Sequence, residues 1–135
     1  MRKLLLCSIA YSIALVAFGC SHTERARDAD TVAEKAHEDR VKAKAKMDEQ
    51  VAAVEADMKK LDDKAHRAAA EGKADAAAGY EKSKEELRKM GDDLKVARDK
   101  AANATDEAWE DTKSAFRTAY EKTRAKMKEV GDALH

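Results

Sequence analysis

Two thiols and four imidazoles are the groups here with the widest chemical repertoire: Cys7, Cys20, His22, His37, His66 and His135. The imidazoles are scattered, and none has a second ligand at the spacing a metal site needs. No hydroxyl or thiol stands beside a base as an activated nucleophile would, and no glycine-rich phosphate loop is present. The acid pairs Asp62-Asp63 and Asp92-Asp93 are adjacent in sequence, so on a helix they diverge rather than converge. No catalytic, cofactor-binding or metal-ligating residue is therefore assigned, and the chain is not read as an enzyme. The thiols remain. Cys7 lies within an apolar run from Leu4 to Phe18, preceded by Met1-Arg2-Lys3. A charged start, an apolar run of about 15 residues and small residues at its end are the layout of a secretory signal peptide. A spanning helix needs about 20 apolar residues, so the run is short for a permanent anchor. Cys20 follows Gly19 at the end of the run, and the next residues, Ser21-His22-Thr23-Glu24-Arg25, are abruptly polar.

The stretch Ala17-Phe18-Gly19-Cys20 resembles the lipobox of bacterial lipoproteins. Ala17 stands where leucine is commonest in that motif, and Phe18 where a small residue is commonest. The resemblance implies that the Cys20 thiol takes a diacylglyceryl group, that cleavage falls between Gly19 and Cys20, and that the new amino terminus is acylated with a fatty acid such as palmitate. The other reading of the junction is an ordinary signal peptide with an incidental cysteine. In the lipobox reading residues 1–19 are removed, 20–30 form the lipidated cysteine and a polar tether, and 31–135 form the folded domain. Ser21, rather than Asp, follows the cysteine. By the same resemblance, this favours the cell outer membrane over the inner as the destination, on the periplasmic face of the envelope.

The chain has 135 residues, enough for one domain. Loss of residues 1–19 removes Arg2 and Lys3 and leaves 25 basic against 27 acidic side chains, a net charge of −2. That is no electrostatic footprint for nucleic acid. Charged residues make up 40% and aromatic residues 4%, which rules out a broad globular core and leaves a narrow apolar seam between helices. There is no proline to break such helices. With Cys7 removed and Cys20 lipidated, no thiol is left for a disulfide.

Three stripes of apolar residues follow steps of three and four. The first is Met47, Val51, Val54, Met58, Leu61, Ala65 and Ala68, extended less strictly upstream by Val32, Ala36 and Ala43. The second is Ala76, Tyr80, Ser83, Leu87, Met90, Leu94, Ala97 and Ala101. After Ala101 the phase slips, and the third resumes at Trp109, Thr112, Phe116, Tyr120, Thr123, Met127, Val130 and Leu134. Between the first two, Gly72 suits the left-handed conformation that ends a helix, and Asp75 can cap the next. Glu38–Lys42, Glu55–Lys59, Asp63–Arg67 and Glu85–Lys89 stand four apart, acid first, as helix-supporting pairs. Tyr80-Glu81-Lys82-Ser83-Lys84 repeats as Tyr120-Glu121-Lys122-Thr123-Arg124. Leu87, Met90, Gly91, Asp92 and Leu94 repeat as Met127, Val130, Gly131, Asp132 and Leu134.

The expected fold is all-α. Its helices run from about 31 to 71 and from about 75 to 134, joined by a turn at 72–75, as a long antiparallel coiled-coil hairpin. In that register Trp109 falls near Ala36. The alternative is a three-helix bundle, with a break at 103–105 that Asn103, Thr105 and Asp106-Glu107 could cap.

The segment Ala108-Trp109-Glu110-Asp111-Thr112-Lys113, after a Tyr-Glu-Lys heptad helix, resembles short bacterial coiled-coil proteins rich in Ala, Lys and Glu that are labelled stress-response proteins. The resemblance covers roughly residues 55–131 and implies no catalytic residue. A looser similarity is to the major outer-membrane lipoprotein, whose C-terminal lysine links it to peptidoglycan. This chain ends Ala133-Leu134-His135, so that linkage is not expected. The function expected is that of a lipid-anchored coiled-coil protein of the bacterial envelope with a structural or protein-interaction role, touching envelope stress. Its partners are then the membrane, through Cys20, and a second copy or another envelope protein. The alternative is an amphipathic lipid binder of the apolipoprotein kind, which needs a wide, bulky apolar face. The stripes here are narrow and rich in alanine.

Overall fold

The structure, a computed structural model, describes residues 21–135, with side chains from residue 30. Three helices account for nearly all of it: α1 (Ser21–Ala70), α2 (Ala74–Ala102) and α3 (Trp109–Ala133). Among the described residues there is no strand. The chain divides between His37 and Glu38 into two units. In the first, the described residues are helical and positions 30–37 are exposed, Val32 at 68%. The upstream stripe of Val32 and Ala36 is therefore not buried, against the sequence expectation. Residues 21–30, expected as a polar tether, are the start of α1. Alanine, glutamate and arginine favour helix, and no glycine or proline interrupts them.

The second unit, Glu38–His135, holds the core. Gly72 ends α1 at a φ of +83°. The Lys73 N–H donates to the Ala68 carbonyl at 2.9 Å and the Gly72 N–H to the Ala69 carbonyl at 3.2 Å. This paired closure satisfies carbonyls the helix end would leave open, and the left-handed residue in it favours glycine. Asp75 does not cap α2. Lys73 holds the cap position without a side-chain bond, and Asp75 sits within the first turn, where the helix dipole favours an acid.

The second arm breaks. The Asn103 N–H and side-chain amide both donate to the Asp99 carbonyl, at 3.1 and 2.9 Å, closing α2. Thr105 Oγ1 accepts from the Ala108 N–H at 3.4 Å at the entry to α3. The physical reason lies in the stripe. A continued heptad would bring position 108 to the seam, but Trp109 is one residue later, about 100° further round a helix. One straight helix could not present both stripes to α1, so the chain turns. All-α is thus the fold, and of the two arrangements the chain takes the three-helix bundle.

Ion pairs show the directions. Lys84–Asp62 at 2.5 Å, Lys95–Glu55 at 2.8 Å and Arg98–Asp48 at 2.6 Å run α2 antiparallel to α1. Arg40–Asp106, Arg124–Asp57 and the Lys64–His135 contact at 3.4 Å run α3 parallel to α1. The chain's last residue therefore returns to the first turn, where Lys73 Nζ donates to the His135 carbonyl at 3.3 Å.

The three stripes meet as one core. Met47, Val51, Val54, Leu61, Ala65 and Ala68 are buried from α1, with Met58 packed at the edge. Tyr80, Leu87, Leu94 and Ala101 come from α2, and Phe116, Met127, Val130 and Leu134 from the α3 segment. Among the described residues Thr123 is the buried polar one, its hydroxyl donating to the Ala119 carbonyl at 2.8 Å. The sequence repeat has a geometric counterpart. A Cβ on Gly91 would meet Met58 Sδ at 3.4 Å, and one on Gly131 would meet Leu61 Cδ2 at 3.3 Å. Each copy thus brings a glycine against a large α1 side chain. Each also reaches α1 with a cation at its fifth position: Lys84 to Asp62, Arg124 to Asp57.

Candidate attachment site and the bundle surface

The residues singled out for chemistry, Gly19 and Cys20, lie outside the described residues, as does Cys7. The described chain opens at Ser21, directly after Cys20, already in helical conformation. Of the histidines whose side chains are described, His37 lies in the first unit and is exposed. His66 Nε2 stands 3.7 Å from Asp62 Oδ2, and His135 Nε2 stands 3.4 Å from Lys64 Nζ. Among the described residues no group of three or more His, Cys, Asp or Glu side chains could hold a metal ion. No described helix is long and apolar enough to cross a membrane.

What the fold does gather is charge, and two such clusters also hold an aromatic ring. The first surrounds Asp62 on α1. Its Oδ1 accepts from Lys84 Nζ at 2.5 Å and from the Tyr80 hydroxyl at 3.3 Å. The Lys84 ammonium holds the Asp62 carboxyl below the ordinary carboxylate range, and Asp62 in turn raises Lys84. Burial, followed by the Asp62 charge, pushes the Tyr80 hydroxyl up to about 12. Both are expected of a phenol packed in a core beside a carboxylate.

The second lies at the corner between α2 and α3. Arg40 of α1 puts its guanidinium 4.8 Å from the Trp109 ring centroid. The same group donates to the Ala104 carbonyl and to Asp106. One turn on, Lys44 Nζ donates to the Ala102 carbonyl at 2.7 Å. Carbonyls at a helix end lack intrahelical partners and carry partial negative charge, so cations from a neighbouring helix suit them. Lys113 approaches the same ring at 5.9 Å. Arg40 Nε is buried without a partner.

The Arg40 and Lys44 contacts were not visible in sequence, because they join positions 58 to 69 residues apart. The acid-first spacings were visible and misled in part. Glu38–Lys42 closes at 2.6 Å, but Glu55 turns to Lys95 across the seam instead of Lys59. Arg67 Nε donates to the Asp63 backbone carbonyl at 3.4 Å. The repeat is the sequence signal that could have found the α1-facing cations Lys84 and Arg124, since both fall at its fifth position. No family model, curated protein or solved structure matches the chain.

Proposed function

We propose that this protein is a lipid-anchored component of a bacterial envelope, held on the periplasmic face through Cys20, at the outer membrane in preference to the inner. Its three-helix bundle serves a structural or protein-interaction role. The observation that carries the reading is the N-terminal order: Met1-Arg2-Lys3, the apolar run Leu4–Phe18, then Gly19-Cys20 and a polar chain. Diacylglycerol with a third acyl chain on one residue holds a protein stably, where a single chain holds it only marginally.

The helical unit supports a binding role over a lipid-coating one. Its apolar stripes are spent on one another in the core, whereas an interfacial helix needs a broad apolar face of its own. Fractionation with labelled palmitate tests the attachment. The parent protein incorporates label and sediments with membranes. Cys20→Ala incorporates none and loses lipid-dependent attachment. Label in Cys20→Ala at the parent level would defeat the proposal.

A further inference from the structure

Met58 is the one member of the α1 stripe from Met47 to Ala68 that the core does not bury. It packs half-buried at the edge of that core. Two surface grooves follow one another along the seam between α1 and α2, of about 410 and 230 Å³, and Met58 lines both. Met47 and Met127, by contrast, are only 4% and 5% exposed. Met90, also half-buried, lines a groove on the other side of α2, against α3. On its inner side the Met58 thioether packs on Gly91, where a Cβ would lie 3.4 Å from Sδ. The sequence repeat supplies the comparison. Leu61 meets Gly131 in the same way across the α1–α3 seam, with Cδ2 at 3.3 Å from such a Cβ, and a leucine offers a mild oxidant nothing to attack.

We propose that Met58 is a reversible oxidation site, and that its oxidation loosens α2 from α1. The oxidant is hydrogen peroxide. A lone pair of the Met58 sulfur attacks one peroxide oxygen, an S–O bond forms and the O–O bond breaks. The sulfur gives up two electrons, and the other oxygen leaves as water with both hydrogens. The product is a polar sulfoxide where a flexible apolar chain had packed. Its oxygen needs a hydrogen-bond donor, and water in the two grooves supplies one. The side chain therefore turns outward and gives up its contact with Gly91. The contact of Leu61 with Gly131 is untouched, so α3 stays in place. Sulfoxide reductases return the thioether, which makes the change reversible. The site belongs to the bundle, so the inference stands or falls independently of lipid at Cys20.

The test treats the purified full-length protein with hydrogen peroxide, follows each methionine by peptide mass spectrometry and melts the product by circular dichroism. Met58 is expected to gain one oxygen about tenfold faster than Met47 and Met127, because susceptibility follows exposure. The midpoint falls by about 4–8 °C, the shift of one lost apolar contact in a domain near 100 residues. Amide hydrogen exchange quickens in α2 around Gly91 and stays as it was around Gly131. Two sulfoxide reductases, one for each epimer, restore the midpoint. Met58→Leu, a swap of similar volume that keeps the fold, holds its midpoint through the same treatment, whereas Met90→Leu loses it as the parent does. Oxidation of Met58 no faster than of Met47 and Met127, an equal fall of the midpoint in Met58→Leu, or exchange quickened equally around Gly131 would each overturn the proposal.

Discussion

Arg40→Ala probes the corner that turns a two-arm chain into three helices. The substitution removes the cation over Trp109 and the donors to the Ala104 carbonyl and Asp106. A largely buried cation–π contact contributes about 1–2 kcal/mol, and a charged donor to a carbonyl about 1.5–3 kcal/mol. The Arg40 side chain is only 17% exposed, so solvent screening discounts these little, whereas Asp106 is 94% exposed and its pair contributes next to nothing. Against this, the buried and unpaired Arg40 Nε costs roughly 1 kcal/mol that alanine recovers. The net loss is about 1.5–4 kcal/mol. At about 4–8 °C per kcal/mol for a domain near 100 residues, the midpoint falls by about 6–30 °C. Thermal circular dichroism measures it. The chain's one tryptophan, Trp109, reports the same corner by fluorescence. Arg40→Lys keeps the charge but not the planar fork, so it recovers less than half of the loss. A midpoint for Arg40→Ala within about 2 °C of the parent would refute this account of the corner.

Gly72 in the first turn and Gly79 in α2 should respond in opposite senses to alanine, read by urea midpoints. Gly79 lies within α2 with open space where a Cβ would go, so Gly79→Ala stabilises by about 0.5–1 kcal/mol, whereas Gly72→Ala, at a φ of +83°, destabilises by about 1–2 kcal/mol. Stability should fall in alkali through Tyr80. Its folded pKa of about 12 exceeds the ordinary 10, so its contribution is complete below pH 10 and is lost as pH rises through 12. The loss is at most about 2–3 kcal/mol, and urea titrations of Tyr80→Phe between pH 9 and 11 should show a shallower decline than the parent. Because the three stripes are buried against one another, the melting midpoint should not change over a hundredfold range of protein concentration. A midpoint that rises with concentration would mean self-association contributes to the fold.

The stripes were legible because heptad steps survive any choice of partner. Met47 to Ala68 must face something apolar whether α1 packs on one helix or two, and each of those positions except Met58 is buried. The number of helices was harder to read. It turned on a single residue of phase between Ala101 and Trp109 and on weak capping by Asn103 and Thr105, which a stutter within one long helix would also explain. The turn at Gly72 was clear because only a residue tolerant of positive φ closes α1 in that way. Asp75 was misplaced by two positions, since α2 begins without a side-chain cap and nothing in sequence marks such a start. The Arg40–Trp109 corner was invisible because it depends on α3 running parallel to α1. The site with the clearest chemistry in sequence, Cys20, rests on the order of the residues before it.

Intact and peptide mass spectrometry of the protein purified from its host's envelope reads the fate of Cys20. The expected mature chain begins at Cys20 and is heavier than the bare sequence by a diacylglyceryl group and an amide-linked acyl chain. A mature chain that begins elsewhere, or a Cys20 with an unmodified thiol, would contradict it.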